Sequence, residues 1–230
     1  MSKHKTFWNK EYAQGTHLTL SERVAEDLVS FANWIGRNGE DFALTNKTNV
    51  LDIGCGNGRN LLYLNQQYGC HGIGTDISEE GLRQAQEVSK KSPITFIVHS
   101  ITEPFDLPDA SIDLVLDMMV SHVLRDNERV KFRGEMLRVL KLGGWFLFKT
   151  HLKDGDVHSE RLLKKHGADE KNSYIHPRLK VYEHVWSEAE IRDFFGPHFE
   201  IIKILRSHKH LIHGRAGKRR TVSVYMRKPR

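Results

Sequence analysis

Val50-Leu51-Asp52-Ile53-Gly54-Cys55-Gly56-Asn57-Gly58 is the stretch whose reading decides the fold. An apolar run ends in an acid, and glycines follow at every second position. The run reads as a buried parallel strand over 49–53 that passes into a turn. Glycine there lets a ligand approach the backbone closely and permits dihedral angles that a Cβ would forbid. A helix over about 59–68 aims its N-terminal N–H groups at the same spot, and Gly69 is placed to end it. Eighteen residues beyond Gly58, a second short apolar run over 72–75 ends in Asp76. An acid at the tip of the second strand is placed to accept hydrogen bonds from ribose hydroxyls.

Two cofactor classes use such a turn. Dinucleotide folds want G-x-G-x-x-G, whose third glycine lets helix pack on strand; that position is Arg59, so the dinucleotide reading fits poorly. The pattern D-x-G-x-G-x-G, followed by the spaced acid, resembles the class I S-adenosylmethionine-dependent methyltransferases. The stretch 51–64, LDIGCGNGRNLLYL, is similar to their small-molecule branch, which includes the tellurite-resistance and thiopurine methyltransferase-like enzymes. The resemblance runs from about residue 45 to residue 227.

That resemblance implies S-adenosyl-L-methionine as cofactor. It implies an α/β, doubly wound, mostly parallel seven-stranded sheet, Rossmann-like, closed by a C-terminal antiparallel hairpin. Asp52, Gly54, Cys55, Gly56 and Gly58 would form the cofactor turn, and Asp76 would take the ribose. Ile77 and Ile101 are the apolar partners for the two adenine faces. Ser100 stands where the family often has an acid for the adenine amino group; a hydroxyl accepts the same bond more weakly. Asp117 and Met118 would lie near the methionine amino group, where a buried acid needs an ammonium partner. The segment 117–120, Asp-Met-Met-Val, departs from the Asn/Asp-Pro-Pro-Tyr/Phe of enzymes that methylate base amines or glutamine amides. Leu140-Lys141-Leu142-Gly143-Gly144 matches the turn, usually L-K-P-G-G, before strand five and has a structural role.

Strands are expected over 49–53, 72–75, 94–98, 112–116 and 145–150, alternating with helices, which implies right-handed crossovers. Trp8 and Tyr12 stand four apart, as on one helix face. Thr19-x-x-Glu22 reads as a capping box opening a helix with Val24, Leu28, Phe31 and Ile35 on one side. Ser78 is placed to cap the helix after Asp76, with Lys90 and Lys91 in its last turn. Residues 151–185 are polar and rich in histidine, which suits a substrate-facing insertion. Ser187-x-x-Glu190 is a second capping box, and 199–205 and 221–226 read as the last two strands. The chain is thus one domain over 1–230, with a helical lid over 1–40, a substrate-side insertion over 151–185 and a basic loop over 206–220.

His122 and His151 fall near strand carboxyl ends and are the candidate general bases, since imidazole titrates near neutral pH; polar lining of the pocket is the alternative. Trp8, Tyr12 and Trp186 are read as aromatics that help close the pocket. His208-x-His210-x-x-His213 invites a metal, but no acid follows Glu200 to complete a ligand set, so no metal is expected.

At 39% hydrophobic and 28% charged residues, the composition suits a globular chain with one sizeable core. No apolar run approaches a membrane span, no secretory h-region follows the N-terminus, and two cysteines at no metal spacing suit a reducing, cytoplasmic setting. The net charge of +6 is uneven: residues 203–230 hold ten Lys or Arg and no acid, leaving residues 1–202 at 25 basic against 29 acidic. A basic segment suits an anionic small-molecule methyl acceptor or, less well, RNA, since Tyr225 is its one aromatic. The rival readings are an RNA- or protein-directed methyltransferase and a non-catalytic protein using the fold as a scaffold. The intact turn and Asp76 argue against the scaffold.

Overall fold

The continuous buried run along 50–53 gives that strand two buried faces, and the rest of the molecule is built on them. The computed structural model describes residues 3–18, 20–39, 41–90, 92–207, 211–212, 215–216 and 219–230. The elements in order are α1 (Lys3–Gln14), α2 (Glu26–Asn38), β1 (Asn49–Ile53), α3 (Arg59–Tyr68), β2 (His71–Asp76), α4 (Glu79–Val88), β3 (Ile94–Val98) and β4 (Ile112–Met118). A 3-10 turn (Ser121–Val123), α5 (Asp126–Val139), β5 (Leu140–His151), α6 (Val157–His166), β6 (Ser173–Ile175), β7 (Tyr182–His184) and α7 (Glu188–Phe195) follow. The chain then runs through β8 (Glu200–Arg206), β9 (Leu211–Ile212), β10 (Arg215–Ala216) and β11 (Thr221–Arg227).

The main sheet has seven strands in the order β3-β2-β1-β4-β5-β11-β8. The first five pair in parallel, and β11 runs antiparallel to both β5 and β8. This is the expected doubly wound sheet with its C-terminal hairpin. Side chains alternate between two cores. Leu51, Ile53, Val115, Phe146 and Phe148 pack on one face with Phe195 and Trp186, while Val50, Leu114, Leu116 and Trp145 pack on the other with Leu28, Phe31 and Ile35 of α2.

Three expectations need correction. The second helix begins at Glu26, not at a box on Thr19, which lies outside the described residues. Its first turn is anchored from outside instead, where the Ala25 amide donates to Asn60 Oδ1 at 3.1 Å. Helix α4 stops at Val88, before Lys90, with no basic residue in its last turn; Lys91 is outside the described residues. Strand β5 starts at Leu140, and its pairing with β4 jumps from Ile112↔Leu140 to Leu114↔Trp145. Residues 141–144 stand opposite Asp113 alone, an excess of three. Gly143 takes a φ of +73° there, and the bulge is clasped by Gly143 N–H to Lys228 O and Lys228 N–H to Gly144 O, both 2.9 Å. The polar stretch 151–185 holds α6, capped by Asp156, and the antiparallel pair β6–β7.

Candidate functional site

The turn after β1 is held open by backbone geometry. Gly54, Gly56 and Gly58 all have positive φ, at 61°, 55° and 73°. A Cβ on Gly54 would stand 2.4 Å from Val120 Cγ2, and one on Gly56 would stand 1.9 Å from the Tyr12 hydroxyl. Close approach therefore demands glycine at both positions. Gly58 N-caps α3, and Ser78 caps α4 by accepting from the Gly81 amide at 3.1 Å.

Asp76 joins the two helix starts. Its Oδ2 accepts from the Gly56 amide at 2.9 Å and its Oδ1 from the Ser78 amide at 2.8 Å. Burial raises its pKa, against the pull of these two amides. Each oxygen keeps a lone pair for a further donor. The residues around it enclose a cavity of about 700 Å³, lined by Trp8, Tyr12, Gly54, Cys55, Asp76, Ile77, Ser100, Ile101 and Met118 among others. The sequence reading thus converges here with nine of its site residues.

The other expected residues lie around the cavity rather than on its wall. Gly56 and Gly58 shape the turn from behind. Asp52 is buried at 1% exposure with Oδ2 unpartnered. Burial pushes its pKa to about 8, Arg59 pulls down, and Asp76 and Asp117 push further up. Asp117 is also buried, its pKa raised by burial to about 6. Its Oδ1 accepts from the Val120 and Ser121 amides at 3.0 and 3.2 Å, which fixes the 3-10 turn, and its Oδ2 is unpartnered. The turn is entered through Met119, a non-glycine residue at φ +75° that does line the cavity. Trp186 is not a lid: it is 1% exposed, packed on Phe148, Phe194 and Phe195 in the core.

Helix α1 covers the cavity mouth. Asn9 Oδ1 accepts from Ser78 Oγ at 2.9 Å and from the Glu80 amide at 3.2 Å. Lys5 pairs with Glu79 at 2.6 Å, and Gln84 Nε2 donates to Tyr12 O at 2.9 Å. The sequence reading missed these links, and also Asn57 and Arg59, which line the cavity and donate to Ser21 O at 3.2 and 3.1 Å. Nothing in local periodicity marks them, because their partners are dozens of residues away. Glu103, three residues past Ser100, brings a carboxylate to the same edge.

His122 and His151 are not on the cavity wall. Their rings meet edge-on with centroids 5.3 Å apart, and Nδ1 of each is buried without a partner. Burial lowers both imidazole pKa values, that of His122 to about 4, and the Arg219 guanidinium pushes both the same way. Glu183 of β7 completes the group. The sequence reading missed it too, since it comes from the insertion.

Four arginines of the basic segment pair with acids within the fold. Arg206 pairs with Glu188, Arg219 with Glu183 at 2.7 Å, and Arg227 and Arg230 with Asp41. Lys228 Nζ donates to the Leu137 and Leu140 carbonyls at 2.6 and 2.8 Å. His208, His210 and His213 lie outside the described residues. Among the described residues, no helix is long and apolar enough to cross a membrane.

Residues 50–144 match the family described as a methyltransferase domain. The ajmaline N-methyltransferase of Rauvolfia serpentina is 30% identical over 155 residues, which is 65% of this chain and 50% of that protein. The chain therefore spans about half the length of that relative. In fold, it is similar to the 1,6-didemethyltoxoflavin-N1-methyltransferase of Burkholderia thailandensis, solved with S-adenosylhomocysteine (TM-score 0.70, 17% identity, 99% of this chain and 88% of that one). An S-adenosylmethionine-dependent methyltransferase from Methanosarcina mazei gives a TM-score of 0.67 at 21% identity, covering 80% of this chain and 94% of that one. The chain thus has the fold of these structures, and its residues 50–144 are similar to a methyltransferase domain.

Proposed function

We propose that this protein is an S-adenosylmethionine-dependent methyltransferase that acts on a nucleophilic O, N or S atom of a small molecule. The observation that carries the reading is Asp76. Its carboxylate lines the cavity at the tip of β2, tied to the glycine turn on one side and the start of α4 on the other. The fit to the cofactor rests on three further features: the bare backbone of Gly54 and Gly56, the flanking Ile77 and Ile101, and the unpartnered oxygens of Asp52 and Asp117. A cavity of about 700 Å³ is within the range of a small-ligand site.

When bound, the cofactor supplies a methyl group activated by its sulfonium. The chain's own contribution is alignment and exclusion of water. Asp76 orients the sugar through its remaining lone pairs. Met118, Met119 and Val120 form the wall toward the acceptor side. Helix α1, latched to α4 through Asn9 and Lys5, is the lid, and 151–185 is the substrate-side insertion. Neither His122 nor His151 lines the cavity, so neither serves as general base, and a positioned nucleophile carries the transfer. The likeness of 51–64 to the tellurite-resistance and thiopurine methyltransferase-like branch supports a small acceptor, as do relatives named for small-molecule substrates. The internal pairing of Arg206, Arg219, Arg227 and Arg230 weighs against an RNA surface.

Calorimetry with S-adenosylmethionine tests the reading. The wild type should bind one equivalent, and Asp76→Ala should lose most of the affinity while keeping its circular dichroism. No heat with the wild type, or unchanged affinity in the variant, overturns it.

A further inference from the structure

His122, His151 and Glu183 come from three separate parts of the chain. His122 sits in the 3-10 turn after β4, His151 ends β5, and Glu183 is the middle residue of β7. They meet above the carboxyl ends of the central strands, beside the proposed cofactor cavity and outside its lining. One ligand-capable atom from each residue lies within 4.8 Å of those of the other two. His122 is 9% exposed and Glu183 4%. Buried polar atoms nearly always find a partner, yet Nδ1 of both histidines has none. Two unsatisfied imidazoles converging on one buried carboxylate are costly unless something fills the gap between them.

The carboxylate is held as a metal ligand is held. Tyr174 Oη and Arg219 Nη1 both donate to Glu183 Oε2, the latter at 2.7 Å, and neither bond uses Oε1. Hydrogen bonds to one carboxylate oxygen fix the direction of the other, as the outer shell of a metal site does. These three residues lie outside the cavity just described, and an ion needs only the gap between them.

We propose that His122, His151 and Glu183 form a site for one divalent transition-metal ion of the zinc, cobalt or iron class. Two imidazoles and one carboxylate are a ligand set those ions favour over calcium or magnesium. Coordination at about 2.0–2.2 Å would draw the three atoms to roughly 3.4 Å apart, a closure that side-chain rotation supplies. Three protein ligands leave a position open. The free Nε and Nη2 of Arg219 are donors for an anionic oxygen there, which would offset the ion's charge beside a guanidinium. The ion would pin the β6–β7 pair to the ends of β4 and β5, and so set one wall of the acceptor side.

The test is titration of Co2+ into the full chain stripped with chelator, followed by its visible d–d bands, with Zn2+ competition to give affinity. One equivalent should bind in the micromolar range or tighter. Glu183→Gln and His151→Gln, near-isosteric and checked by circular dichroism, should weaken binding about 100-fold, as expected when one of three ligands is lost. Replacing His208, His210 and His213 together by Ala should leave binding unchanged. X-ray absorption on the zinc-loaded wild type, which needs no variant to fold, should show two imidazoles. Failure to bind either ion at 100 μM, binding that survives both single substitutions, or binding lost only in the triple variant overturns the site.

Discussion

The carboxyl end of β1 and β2 and the carboxyl end of β4 and β5 solve the same problem in different ways. Both place acids and polar side chains in a nearly dry setting. At the first, the partners are local: Asp76 satisfies Gly56 and Ser78, each within 20 residues of it, and the glycines themselves make the room. At the second, His122, His151, Glu183 and Arg219 arrive from the 3-10 turn, β5, the insertion and the approach to β11, and several of their polar atoms have no partner. Apart from Asp52 Oδ2 and Thr75 Oγ1, which are buried without partners, the first region is completed by its own backbone and can exist before its ligand. A region with unmet polar atoms is unfinished until something joins it.

The largest expected effect that separates the two is on Trp186, which floors the second region. Trp186→Ala should cost about 3–5 kcal/mol in denaturant unfolding, as for other buried aromatics; a loss under 1 kcal/mol would show that this floor is not part of the core. Next, Gly56→Ala should weaken S-adenosylmethionine binding by roughly 100-fold, since it adds positive-φ strain and a clash with Tyr12 of the cavity wall. Co2+ binding in that variant should be unchanged. Calorimetry and spectroscopy on one sample would read both, and loss of both together would break the distinction between the regions.

Asp52 gives the third. Its folded pKa of about 8 lies above the ordinary carboxylate value near 3.8, so the folded state holds the extra proton between those pH values. Stability should therefore fall as pH rises from about 4 to about 8, by up to about 1.4 kcal/mol per unit, and stop falling above that. Asp52→Asn should flatten this slope, and an unchanged slope would mean the burial is relieved elsewhere. The smallest effects pair the two caps. Ser78→Ala and Ser187→Ala should each cost about 1 kcal/mol. Only Ser78→Ala should also weaken the cofactor, because its hydroxyl also donates to Asn9 of the lid.

What could be read from the chain beforehand follows the same division. Strands β1 and β3 and helix α3 have the bounds their apolar runs and Gly69 predict, and Asp76 is where the spacing puts it. Those signals are contiguous. The start of α2 was misplaced because its first turn is fixed by Asn60, 35 residues away, rather than by a local box. Strands β6 and β7 have three residues each, too short for an alternating pattern to declare itself. Glu183 and Arg219 carried no mark of their own, since their meaning depends on the two histidines they meet. Trp186 was misjudged because an aromatic beside a polar stretch looks the same whether it faces a pocket or a core.

The strand order has a consequence for how the molecule is made. Strand β8 touches the sheet only through β11, which lies between it and β5. During synthesis, β8 leaves the ribosome with no edge to join and must wait for residues 221–227. A premature stop before Thr221 would do more than shorten the protein. It would bare the outer edge of β5 and leave β8 unpaired, opening the two strand borders that β11 covers.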